Sequence, residues 1–158
     1  MPSTEFLTNA HVVNVADHTS IAAAEDMYNA NIAGDVISLK NAQKAIFMIQ
    51  QLTNAGGNGS VYIRACDDVT PTNTTTVTFY YKEVFTDVQG TITETKCLVT
   101  STARNCAYMI EVDAEEIREQ GYDYVQLYIT EKTNAAVDGA VFGFIIDKRF
   151  SALATQLT

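Results

Sequence analysis

The chain has 158 residues, with ten Lys and Arg against nineteen Asp and Glu for a formal charge of −9. Acidity spread along the whole chain argues against sequence-independent nucleic-acid binding, which needs clustered Lys and Arg to displace counterions from phosphates. It also argues against an anionic membrane surface. At 47% hydrophobic residues the composition is that of one globular domain, large enough to fold without a metal or a disulfide framework.

Eight Tyr, seven Phe and no Trp, together with abundant Val and Thr, favour strands over helices. The opening Met1-Pro2-Ser3-Thr4-Glu5 carries neither a basic region nor an apolar run. The longest apolar stretches, residues 45–49 and 140–146, fall far short of the roughly 20 residues that span a bilayer. A soluble protein made in a cytoplasm is expected, bound neither to membrane nor to nucleic acid.

In chain order, residues 1–43 have the weakest pattern. Residues 11–15 and 35–39 suit short strands, and residues 20–28 (SIAAAEDMY) suit two helical turns at most. This region reads as an N-terminal arm or wrapping segment, and residues 44–158 as the β-sandwich domain. Residues 45–52 (AIFMIQQL) are apolar on both faces, which suits a central strand. The stretch TNAGGNGS at 53–60 is a turn, and Val61, Ile63 and Ala65 then alternate with Tyr62, Arg64 and Cys66. Residues 67–73 make a loop, and residues 75–85 one long strand with Val77, Phe79 and Tyr81 on a shared face.

A hairpin centred on Ser101 and Thr102 pairs Val99 with Arg104 and sets Cys97 opposite Cys106. Residues 113–120 (DAEEIREQ) form a helical turn with Asp113 as N-cap and Gly121 as stop. Residues 122–131 and 139–147 are the last strands. Short, evenly spaced strands without a crossover helix predict a mainly β, antiparallel, jelly-roll-like sandwich with one short helical turn.

The candidate chemistry fails on ligand count or placement. His11 and His18 lie far in sequence from all three cysteines, with no CxxC or HxxxH spacing, so no metal site is expected. Asp67 and Asp68 lack the ligand spacing of a calcium loop. The acids Asp113, Glu115, Glu116, Glu119 and Asp123 suit a solvated, dipole-matched helix face. Gly56-Gly57-Asn58-Gly59 opens no helix and so cradles no phosphate. No nucleophile elbow occurs. Catalytic residues and cofactors are therefore expected to be none.

Two features remain. The expected register brings Cys97 and Cys106 within disulfide range, although a cytoplasmic protein keeps such a pair as buried thiols. Tyr122, Tyr124 and Tyr128 share one strand face with Gln126, opposite Val125, Leu127 and Ile129. The tyrosines are either a covered second layer or a partner interface.

The segments VYIRACDDVTPTNTTTVTFYYKEV and YMIEVDAEEIREQGYDYVQLYITE, following Lys40-Asn41-Ala42-Gln43-Lys44, resemble small structural proteins of tailed bacteriophage heads. The resemblance covers about residues 40–150 and has no catalytic motif. It implies a decoration or cement subunit on the capsid exterior, non-enzymatic, bound to the major capsid protein and homo-oligomeric, with a trimer favoured. A carbohydrate-binding sandwich and a tail or connector subunit are the alternatives. The first would need an exposed aromatic platform, and the second a long hairpin.

Overall fold

The computed structural model describes residues 10–15, 27–28, 31–93, 95–101 and 106–147. Among them the strands are β1 (Ala10–Asn14), β2 (Asn31–Ala33), β3 (Ile37–Ser38), β4 (Ala42–Asn54), β5 (Asn58–Cys66) and β6 (Thr74–Thr76). There follow β7 (Phe79–Glu83), β8 (Val88–Ile92), β9 (Leu98–Val99), β10 (Cys106–Asp113), β11 (Tyr124–Thr133) and β12 (Val137–Asp147). A helix, α1 (Ala114–Glu119), separates β10 from β11.

One sheet has the order β1-β12-β4-β10-β7-β8. The second has β2-β11-β5-β6, with β3 also on β11 and β9 also on β5. Every pairing is antiparallel. The chain passes from β1 to the second sheet at β2 and β3, back at β4, and across again at β5. It repeats the exchange through β10, β11 and β12, so late strands close onto early ones: β12 lies on β4 and β11 on β5. This is a jelly roll, with β7 and β8 added as a hairpin beyond β10.

The alternation in the sequence explains the core. Ala45, Phe47 and Ile49 of β4 and Ile110 and Val112 of β10 point inward from the first sheet. They meet Val61, Ile63 and Ala65 of β5 and Val125, Leu127 and Ile129 of β11. Full burial of each large aliphatic or aromatic side chain contributes roughly 1.5–3 kcal/mol. The β4–β5 turn is tight for a definite reason. Gly56 takes φ +108°, and a Cβ on Gly57 would lie 1.9 Å from the Ala135 carbonyl oxygen. Only glycine fits either position.

The expected helical turn is present. The Asp113 carboxylate accepts from the Glu115 N–H at 2.7 Å, and Gly121 follows at φ +86°. Ala114 and Ile117 are buried, while Arg118 Nη1 donates to the Leu39 carbonyl at 3.0 Å. The helix thereby fastens the β3–β4 corner.

Three expectations require correction. Of the arm or wrapping segment expected at residues 1–43, the described part is woven into both sheets and is not separable: β1 pairs with β12, β2 and β3 pair with β11, and Val15, Met27, Tyr28, Ile32, Ile37 and Leu39 are buried in the core. The strands there are only two to five residues long; two were expected, at 11–15 and 35–39, but their partners lie more than 85 residues away. Residues 75–85 are two strands in different sheets. Val77 still donates its N–H to Ile63, and Phe79 already belongs to β7, which pairs with β10. Both sheets face one core, so the buried alternation runs unbroken through the corner.

The third correction concerns the cysteine hairpin. Leu98 pairs with Val61 of β5, whereas Cys106 pairs with Gln51 of β4. Cys97, just before β9, and Cys106 thus lie against different sheets, and neither they nor Cys66 form a disulfide. The arithmetic of a local hairpin assumed that neighbours in sequence pair. A jelly roll sends them to opposite sheets instead.

Candidate interaction surface

Each sheet has an outer face, and the two differ. On the second sheet, Tyr124, Gln126 and Tyr128 of β11 lie opposite Cys66, Arg64 and Tyr62 of β5. The inward set of β11 is fully buried as expected, and the tyrosines are half-buried. The Arg64 guanidinium stacks 3.4 Å over the Tyr128 ring, and the Lys40 ammonium sits 5.1 Å over Tyr124. Such contacts are worth about 0.5–1 kcal/mol at exposed sites. Gln126 donates to the Gly34 carbonyl at 2.8 Å, and Tyr122 packs against the edge of the core.

The same face holds two of the thiols. Cys97 lies against the Tyr62 hydroxyl, and that contact, with burial, raises the Tyr62 phenol above its ordinary value of 10.0. Burial pushes the Cys66 thiol up to about 11, so it is protonated and unreactive at neutral pH. Cys106 is bonded inside the sandwich, its Sγ 2.5 Å from Gln51 Oε1. The tyrosine set is therefore a layer whose rings the chain itself partly covers with cations.

The outer face of the first sheet is unlike it. Val12 of β1, Phe142, Phe144 and Ile146 of β12, Ile46 and Met48 of β4, and Met109 of β10 come together there. Their registers are Val12 with Phe144, Phe144 with Ile46, Phe142 with Met48, and Met48 with Met109. Val12 is 68% exposed, Phe142 41% and Met109 40%. Residues 45–49 are apolar on both sides, as read from the sequence; Phe47 and Ile49 are fully buried, and Ile46 and Met48 are half-buried. The missed signal was that residues 140–146 share the pattern; that they lie beside 45–52 was visible only in the fold.

A third apolar feature is the β7–β8 turn. Phe85 is 62% exposed at its tip, between exposed Val84 and Val88, and Asp87 adopts φ 60°. The Lys82 ammonium pairs with Asp87 across the hairpin.

Among the described residues, no three His, Cys, Asp or Glu side chains come together as metal ligands do. His18 and the His11 side chain lie outside the described residues. Asp67 accepts from Thr72 and Asn73, backbone and side chain alike, which closes the loop after β5. Those bonds, Asn73 foremost, hold its carboxyl at about 2. The Asp67–Asp68 loop is thus organised around one carboxylate by its own chain. No helix among the described residues is long and apolar enough to cross a membrane.

No protein-family model and no curated protein matches the chain. Among solved structures it is similar to the SPBc2 prophage-derived protein YomS, at 11% identity and a TM-score of 0.48, over 88% of this chain and 94% of that one. A likeness so distant does not bear on what either protein does.

Proposed function

We propose that this chain is a non-enzymatic structural protein of a virion, a decoration or cement subunit that binds the major capsid protein from the capsid exterior. The observation that carries the reading is the β7–β8 hairpin. It lies outside the strand exchange that closes the jelly roll, and it ends in Val84, Phe85 and Val88, all exposed. A phenylalanine at a hairpin tip gains nothing for folding, and buried aromatic anchors dominate protein interfaces. The sequence resemblance to phage head proteins supports the same role. A subunit of this kind gains affinity from repeated placement over a lattice.

A carbohydrate-binding role lacks comparable support, since Tyr124 and Tyr128, the rings a sugar would stack on, carry Lys40 and Arg64 over them. The reading is tested by adding purified protein to capsids that lack it and imaging the particles by electron microscopy. Ordered density on the lattice, lost with Phe85→Asp at unchanged melting temperature, is the expected result. Particles with no added density at saturating protein would refute it.

A further inference from the structure

We propose that Asn58-Gly59 is a latent self-modification site, at which the chain deamidates only in copies whose β5–β9 contact has opened. The proposal concerns the chain itself and does not depend on its place in a virion. Asn58 is the one asparagine of the sequence followed by glycine. Such a pair is disposed to close a ring, because glycine has no Cβ to hinder the approach of its nitrogen to the asparagine side chain. The Gly59 amide gives its proton to a solvent base, and its nitrogen attacks Asn58 Cγ. The bond from Cγ to the side-chain nitrogen breaks, and that nitrogen takes a proton from water and leaves as ammonia. Water then opens the resulting succinimide at either carbonyl, leaving an aspartyl or an isoaspartyl residue. Neither oxidant nor cofactor enters the reaction.

The fold itself creates the reactive pair. A Cβ on residue 59 would lie 2.8 Å from Ile129 Cγ2 and 2.9 Å from Tyr28 Cδ1, so the packed core leaves room only for glycine. The same fold then withholds what the reaction needs. The Gly59 N–H donates to Thr100 Oγ1 at 3.0 Å, and the Thr100 N–H donates back to the Gly59 carbonyl at 3.0 Å. Thr100 is 2% exposed and Asn58 7%, which keeps a solvent base from the amide proton. Asn58 and Gly59 also pair with Thr133 and Glu131 of β11. Ring closure must turn the peptide plane between them out of that ladder, and the extended strand holds it in place.

The product has a structural consequence. Asn58 Oδ1 is buried with no hydrogen-bond partner among the described residues. An aspartate sets a charge where even a neutral carbonyl is unsupported. An isoaspartate adds a main-chain atom to β5 and shifts its register. Either product disfavours closure of the opened copy, so one opening long enough to react leaves a permanent mark.

The experiment is mass-spectrometric peptide mapping of the full chain after incubation in mildly alkaline buffer, folded and in concentrated urea. Amide exchange of Gly59 is followed in parallel. Asn73, exposed and followed by Thr74, is the internal control. Conversion at Asn58 is expected in urea and is expected to be at least roughly a hundredfold slower in the folded chain, because local opening must come first. Thr100→Val keeps the side-chain shape and removes the acceptor, and should speed both Gly59 exchange and folded-state conversion by roughly tenfold. If that variant fails to fold, the wild type in rising sub-denaturing urea replaces it, with exchange and conversion expected to rise together. Asn58→Asp, which reproduces one product, should lower the melting temperature. Folded-state conversion at the unfolded rate overturns the proposal. So does an Asn58 that stays intact in urea or converts no faster there than Asn73, or Gly59 exchange that rises while conversion does not. An unchanged melting temperature for Asn58→Asp overturns the mark.

Discussion

The two outer faces of this jelly roll both carry large side chains on their central strands, yet they are completed differently. The β11 face sets Tyr124 and Tyr128 under Lys40 and Arg64 and ties Gln126 to the Gly34 carbonyl. The β4–β12 face sets Met48 against Phe142 and Ile46 against Phe144. The first is an aromatic layer under cations; the second is aliphatic and aromatic, with Val12, Phe142 and Met109 exposed among the described residues. The tyrosines are half-buried beneath Lys40 and Arg64, whereas Val12, Phe142 and Met109 are exposed.

The largest test of this contrast removes material from both sheets at once. Deleting residues 1–39 takes β1 from one sheet and β2 and β3 from the other, along with buried Met27, Tyr28 and Leu39. Loss of cooperative unfolding, followed by circular dichroism against urea, is expected. A truncated chain that still melts cooperatively would restore residues 1–43 as a separable arm.

Neighbouring residues on β4 sharpen the contrast further. Phe47 is wholly buried, so Phe47→Ala should lower stability by about 3–5 kcal/mol. Met48 faces outward, and Met48→Ser should change stability by less than about 1 kcal/mol. Equal destabilisation by the two, measured in denaturant, would mean that Met48 is covered within the subunit. On the other sheet, Arg64→Ala should cost about 0.5–1 kcal/mol through the lost stacking on Tyr128, without altering the oligomer. A change in oligomeric state instead would make the tyrosine face an interface.

The smallest expected effect is local. Asp67 has its carboxyl held at about 2, below its ordinary 3.8, by the bonds from Asn73 and Thr72. A lowered folded-state value means that the loop closure is complete above about pH 4 and is lost as the pH falls through 2. Amide shifts of Thr72 and Asn73 should follow that titration and be absent in Asp67→Asn. A midpoint near 4 would show that the bonds do not favour the charged form.

Much of the architecture was legible before any coordinates. Alternation assigned Val61, Ile63 and Ala65, and Val125, Leu127 and Ile129, to the core, because a strand's two faces are set by a period of two. Asp113 and Gly121 announced the ends of α1, since capping is local chemistry. The errors share a cause. Residues 31–33, which the sequence reading missed, become a strand through β11, and Cys97 and Cys106 separate only because a jelly roll parts neighbours in sequence.

The apolar face follows the same rule. That residues 45–49 and 140–146 are apolar on both sides is a property of the sequence, as are the acidity and the strand-rich composition. That β12 lies beside β4, so that Met48 meets Phe142 on the outer face, is a long-range pairing about 90 residues apart in the chain. Local pattern determines which side chains share a face. Only the tertiary fold decides which faces become neighbours, because the pairing energy depends on partners that no local window contains.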